Sequence, residues 1–262
     1  MWVGERAGSA GTARLAALAA TTSRVVLGLG LVPLSARSAE HLDETMTTLS
    51  LLAAGRVAVA FSLPIALASP LRPAWATHLP TVADRVRQAG IPVAVSIDDQ
   101  ATAVAAADHV DRIILRGADT VLTEKIATVL QRLPEPPQID VWLDLAGPDD
   151  DADLLRPVFA ERLAVAGVSG HGALRTISTR DFPGLHGEVD SAYATGEPAR
   201  AALSVPRELV DQTCLTGDAA QLAARVQAYA EAGASGITVF PHAPTLEARI
   251  AAVTAFAEAG AP

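Results

Sequence analysis

The feature that most constrains this chain is a repeated unit: a short apolar run, a turn, then an amphipathic helix. Val25-Val26-Leu27-Gly28-Leu29-Gly30-Leu31-Val32 is apolar at every position. A strand with one wet face would alternate, so a run of this kind predicts a strand covered on both faces, as in a parallel sheet. Arg56–Phe61, Ile91–Ile97, Arg112–Arg116, Ile139–Leu145 and Gly236–Phe240 read the same way, and with Trp2-Val3 the count is about seven strands. Helical stripes lie between them. Leu42, Met46, Leu49 and Ala53 follow Ser38 as N-cap and precede Gly55. Leu79, Val82 and Val86 are closed by Gly90, and a short helix runs from Gln100 to Ala107. Leu122, Ile126 and Val129 mark another, and Leu155, Val158, Phe159 and Leu163 one more, with Asp149, Asp150 and Asp151 as caps ahead of it rather than metal ligands. Asp218 to Gln221 has capping-box spacing ahead of Leu222, Val226 and Tyr229, and Leu246, Ile250 and Val253 end the chain.

Strands alternating with helices give a parallel sheet with right-handed crossovers. The 262 residues suit one TIM-type (β/α) barrel, although an eight-stranded barrel needs one more strand and an open doubly wound sheet fits the same count. No linker divides residues 1–262, so one domain is expected. Between Ala166 and Leu203 the periodicity fails among scattered glycines, which reads as an irregular segment, either a lid or binding loop or a mobile stretch.

A net charge of −9 argues against nucleic acid or an anionic membrane surface as partner. No apolar run approaches the roughly 20 residues of a membrane span, and the start lacks a signal-peptide pattern, so a cytoplasmic location is expected. The single cysteine, Cys214, excludes an internal disulfide and reads as a small core residue. His41, His78, His109, His171, His186 and His242 form no helix pair of metal-ligand spacing, so no metal is expected. His171, His186 and His242 are candidates for acid–base work, against the alternative of surface histidines. Gly167–Gly172 lacks the spacing of a nucleophile elbow, Gly28-x-Gly30 lacks the rest of a dinucleotide fingerprint, and the only lysine, Lys125, falls mid-helix, away from any Schiff-base position.

Two segments carry a family resemblance. The first is Trp2-Val3-Gly4-Glu5-Arg6, then Leu15 through Gly28, then Leu49 through Ala60 with Gly55-Arg56, and the second is Val205–Asp211, Leu215–Asp218 and Ala228–Gly233. Together they resemble the luciferase-like flavin and deazaflavin oxidoreductases: the first is similar to that family's second, third and fourth strands with their helices, the second to its closing helix and final strand. The resemblance implies a TIM-type barrel, with flavin mononucleotide (FMN) or the 5-deazaflavin coenzyme F420 at the C-terminal ends of the strands. It implies hydride transfer or oxygenation of a small organic substrate, and homodimers formed through the early helices, here Ala13–Ala20 and Ser38–Ala53. On it, Gly30, Leu31, Phe61 and Ser62 are expected at the cofactor ring, with Ser96 and Arg116 nearer the phosphate. Glu5, Arg6 and His242 are the expected catalytic side chains. The bond Gly30–Leu31 matches a non-proline cis peptide of the deazaflavin members, against the alternative of an ordinary glycine-bearing strand.

The chain also departs from the family. It starts at the family's second strand, leaving a stave to be supplied by another segment or a partner, or a reduced barrel. Glu5-Arg6 stands where an acidic residue and a histidine are frequent, and arginine cannot shuttle protons at neutral pH; both are alternatively surface residues at a strand end. Ser96-Ile97-Asp98-Asp99-Gln100 stands where a glycine-rich turn grips the phosphate. A carboxylate about 6 Å from a phosphate costs roughly 2–3 kcal/mol at an effective dielectric of 20, and the simpler role of Asp98 and Asp99 is to cap the helix that starts near Gln100. These departures favour an alternative: a trimmed, non-redox barrel that binds a ligand or partner, or acts with no cofactor.

Overall fold

The computed structural model describes residues 1–4, 11–34, 38–63, 72–147, 152–164 and 172–260. Strand β1 (Trp2–Val3) precedes helix α1 (Gly11–Thr21), followed by β2 (Leu27–Pro33), α2 (Ala39–Leu52), β3 (Val57–Ser62), α3 (Arg72–Gln88), β4 (Val93–Ile97), α4 (Gln100–Ala106), β5 (Arg112–Arg116), α5 (Thr120–Leu130) and β6 (Gln138–Ala146). Helices α6 (Arg156–Ala164), α7 (Gly172–Asp181), α8 (Leu185–Ala194), α9 (Pro198–Ser204) and α10 (Arg207–Thr213) come next. The chain closes with β7 (Cys214–Leu215), α11 (Ala219–Glu231), β8 (Gly236–His242) and α12 (Leu246–Gly260).

The capping signals in the sequence do the work expected of them. Ser38 accepts from the His41 amide, Asp99 from Thr102, and Asp218 and Gln221 close a reciprocal capping box; Asp119, a cap not anticipated, accepts from Leu122. Each satisfies a donor that the first turn of a helix would otherwise leave unbonded. Pro80 sits inside α3, whose buried stripe is nonetheless the expected Leu79, Val82 and Val86. The Asp149–Asp151 turn lies outside the described residues.

All pairings are parallel, in the order β1-β2-β3-β4-β5-β6, with β8 on the far edge of β6 and the two-residue β7 beside Asp144 and Leu145. The sheet is strongly curled. The Trp2 ring on β1 and the Trp142 ring on β6 lie 5.0 Å apart, although five strand spacings of about 4.8 Å each would hold them some 24 Å apart in a flat sheet. Curling does not end in closure: among the described residues β1 pairs only with β2, and β8 only with β6. Every residue of β8 is partly exposed, unlike β4, where all five are buried. The architecture is an incomplete TIM-type barrel.

Strand alternation sorts the side chains. Val57, Val59 and Phe61, Val93, Val95 and Ile97, and Ile139, Val141, Leu143 and Leu145 face outward, into the main core beneath the helices. Ala60, Ala94, Ile114 and Trp142 face inward, with Trp2, Leu31 and Phe240 against them. Gly28 is required by this packing, because a Cβ there would overlap the Trp2 ring.

The stretch expected to be irregular holds three helices, α7 to α9. Leu174 and Ile177, then Leu185, Val189 and Ala192, are buried at helical spacing, and with α6 and α10 they build a second apolar cluster. The period was hard to see because these helices have 10, 10 and 7 residues and glycines with positive φ, Gly184 and Gly196, break it between them. Among the described residues, no helix is long and apolar enough to cross a membrane.

Candidate active site

The inward-facing residues form layers along the barrel axis. The lower layer includes the ion pair of Arg112 and Asp140, 2.8 Å apart, with Gly236 beside it because a Cβ there would press on the Asp140 carboxylate. Above it lies an apolar floor of Trp2, Ala60, Ala94, Ile114, Trp142 and Phe240. The Trp142 ring is 5.0 Å from Trp2 and 5.5 Å from Phe240, tilted against both, and its indole N–H is buried with no acceptor among the described residues. Two residues further along each strand, one pleat toward the C-terminal end, the inner face turns polar: Ser62, Ser96, Arg116, Asp144 and His242. That is the end at which parallel β/α barrels carry their chemistry.

Asp144 organises this layer. It is 3 % exposed, receives both terminal nitrogens of Arg162 from α6, and accepts from His242 Nε2 at 2.6 Å. Burial pushes its carboxyl upward, but the hydrogen bonds from His242 and Arg162 outweigh this and hold it well below the usual carboxylate range. Asp144 is therefore ionised, and an ionised carboxylate only accepts. The shared proton sits on His242 Nε2, so in the neutral imidazole Nδ1 is the nitrogen that carries the lone pair. Arg116 lies over the Phe240 ring at 5.7 Å. Cys214, opposite Asp144 in the β6–β7 register, is fully enclosed, and burial first and the Asp144 charge second push its thiol well up, so it is inert core as expected.

Four residues anticipated from the sequence, Ser62, Ser96, Arg116 and His242, thus share one layer, and His242 is the last residue of β8 itself. Gly30 and Leu31 adjoin the floor, their peptide bond is cis, and a Cβ on Gly30 would come within 2.9 Å of the Ala60 Cβ. Phe61 is a correction. It is 0 % exposed in the core behind the sheet, because the alternation that turns Ser62 inward turns its neighbour outward. Glu5, Arg6 and His171 lie outside the described residues. His186 is away from this layer, on α8, with Nε2 2.8 Å from Ser178 Oγ. Asp144, Arg162 and Trp142 were missed. Asp144 could have been found, with Asp140, as one of two carboxylates spaced for the same face of β6; Arg162 could not, because only the fold brings α6 to it.

Helix α7 crosses the ends of β4 and β5. Its Gly172 packs directly on the Asp98 side chain, where a Cβ would overlap the carboxylate, and its Arg180 binds the buried Asp119 at 2.6 Å. Asp99 caps α4, as read from the sequence, whereas Asp98 packs under α7.

No family profile matches the sequence, and no characterised protein matches it by sequence. Solved structures do match. The coenzyme F420-dependent tetrahydromethanopterin reductase of Methanopyrus kandleri superposes with a TM-score of 0.70 at 13 % identity, over 96 % of this chain and 88 % of its own. An F420-dependent secondary alcohol dehydrogenase, in complex with an F420–acetone adduct, gives 0.70 at 14 %, over 96 % and 84 %. The oxygenating constituent of 3,6-diketocamphane monooxygenase from Pseudomonas putida, in complex with FMN, gives 0.52 at 14 %, over 92 % and 82 %. The chain therefore carries, in unclosed form, the barrel fold of the luciferase-like deazaflavin and flavin proteins.

Proposed function

We propose that this chain is a divergent luciferase-like oxidoreductase that uses FMN or coenzyme F420 on a small organic substrate. The observation that carries the reading is the polar layer of Ser62, Ser96, Arg116, Asp144 and His242 directly above an aromatic floor, at the C-terminal mouth of the barrel. The lining is of the kind such a cofactor ring packs on: the small residues Gly30, Ala60 and Ala94 lie beside the rings of Trp2, Trp142 and Phe240, with Leu31 partly exposed next to them. They do not reproduce a glycine-rich phosphate turn, since Asp98 and α7 fill the end of β4. Arg116, with Ser96 one strand away, is the cation placed to take the anionic end instead.

When bound, the cofactor supplies hydride transfer or activation of oxygen. The chain's own part is binding and proton handling. Asp144 fixes the His242 tautomer, so that Nδ1 accepts a proton or, once protonated, returns it. Arg162 keeps Asp144 ionised, and Ser62 and Ser96 offer hydroxyl donors. Pairing of two copies through α1 and α2 belongs to the same reading; α2 ends with Leu51 and Leu52, 80 % and 55 % exposed.

The experiment is a titration of the purified chain with FMN and with F420, followed by absorbance and fluorescence. Saturable binding at micromolar concentrations supports the reading, and His242→Gln should then lower turnover about 10²-fold or more with little change in cofactor affinity. A second reading, a barrel that has lost its cofactor, draws on the Asp98–Gly172 packing and is favoured if neither compound binds at high micromolar concentration.

A further inference from the structure

Trp142 carries a polar atom with nothing to bond. Its side chain is 3 % exposed, enclosed by Trp2, Phe240, Ala60, Ala94 and Ile114, and its Nε1–H has no acceptor among the described residues. Buried indole N–H groups normally find a partner, and one left unbonded forfeits the hydrogen bond it made to water in the unfolded chain. Its register neighbours on the inner face are Arg116 on β5 and Thr238 on β8; a guanidinium offers only donors, and the Thr238 hydroxyl makes no bond to the indole.

We propose that Trp142 is a ligand-positioning residue, whose indole N–H donates to a ring carbonyl or ring nitrogen of a planar heteroaromatic ligand seated on the aromatic floor. This rests on the flavin or deazaflavin reading and deepens it, by naming the donor that sets the depth and orientation of the ring. Three aromatic side chains offer stacking surface to a flat ligand, and a single donor among them selects the edge that carries acceptors. An aliphatic chain would use neither. The side chains that must yield to admit the ring are at hand. Leu31 and Phe240 are partly exposed where Trp142 is not, and Trp2 and Phe240 belong to the two strands whose outer edges pair with nothing among the described residues.

The test uses Trp142→Phe, which keeps an aromatic ring and removes the donor, and Tyr229→Phe, which removes a buried donor from the core behind the sheet, where its hydroxyl donates to the Ala118 carbonyl at 2.8 Å. Both are titrated with FMN and F420 beside the wild-type chain, and ligand-free melting temperatures are recorded. The expected result is a Kd raised about 5- to 100-fold in Trp142→Phe and a change under about threefold in Tyr229→Phe, although both lower the melting temperature. Equal Kd values for Trp142→Phe and wild type overturn the inference and leave the flavin reading standing. So does a Tyr229→Phe loss as large as that of Trp142→Phe, which would make the effect one of general destabilisation. If the wild-type chain binds neither cofactor, the flavin reading falls and this inference with it.

Discussion

Removing the charge of Asp144 should destabilise the protein far more than a surface substitution would. The Arg162 side chain is 14 % exposed and that of Asp144 4 %, so Asp144→Asn leaves a guanidinium buried without its counter-charge. Breaking a buried pair from one side costs about 3–5 kcal/mol. For a chain of 262 residues, at about 2–4 °C per kcal/mol, the melting temperature should drop by roughly 6–20 °C. Arg162→Met should also destabilise, and the double variant should lose at least about 1 kcal/mol less than the sum of the two, since each single change strands a charge that the double removes. Urea unfolding of the four proteins gives the cycle. The sign with pH is fixed as well. The folded carboxyl lies below its ordinary value of 3.8, so the unfolded chain takes up the proton first, and the contribution of Asp144 is present above about pH 4 and lost as pH falls below it. Asp144→Asn should therefore lose less stability between pH 4 and pH 2 than the wild-type chain does. Additive single variants, or a wild-type acid limb no steeper than that of Asp144→Asn, would refute the assignment of Asp144 as the carboxylate that holds Arg162 and His242.

Further expectations are smaller in scope. Gly28→Ala should cost about 1–3 kcal/mol by thermal melting, because its methyl overlaps the Trp2 ring. Gly187→Ala, inside α8 with open space around its Cβ position, should instead stabilise by about 0.5–1 kcal/mol. His186 is held below its ordinary value of 6.5, first by burial and then by Arg175. The unfolded chain protonates before the folded one, so stability should fall as pH drops below 6.5, and His186→Gln should remove that slope. Cys214 should resist thiol reagents in the folded chain and react once per chain in denaturant.

The strands were legible because a strand buried on both faces leaves an unbroken apolar run, and Val57–Phe61 and Ile113–Leu115 show it plainly. Helix starts were legible wherever a capping side chain stood alone before a stripe, as at Ser38 and Asp218. The first two residues of the Val25–Val32 run were misleading. Val25 and Val26 are 40 % and 59 % exposed, and the strand begins at Leu27, since apolar character reports what a residue prefers and not where the sheet begins. Helices α7 to α9 were hidden by their shortness, and β7 by its two residues. Within the site, Ser62, Ser96, Arg116 and His242 were legible from the resemblance and from their places at strand ends, whereas strand alternation, which turns Ser62 inward, excludes its neighbour Phe61. Arg162 reaches Asp144 from a helix 18 residues further along the chain, a contact that no local pattern encodes.

An unclosed barrel is a split ring rather than a hoop. In a closed barrel the bore is fixed by a full circle of backbone hydrogen bonds, and widening it means breaking a seam of them. Among the described residues the circuit is interrupted between β1 and β8, and the contact that spans it is the tilted packing of Trp2 on Trp142, with Phe240 against the same indole. Side-chain contacts of that kind slide and re-form without a backbone bond being lost. The interior can therefore be spread from the side as well as entered from the mouth. The amides of β1 and β8, which among the described residues pair with one strand each, should exchange with solvent well before those of β4, so that the rim of the split is the part of the sheet that yields first.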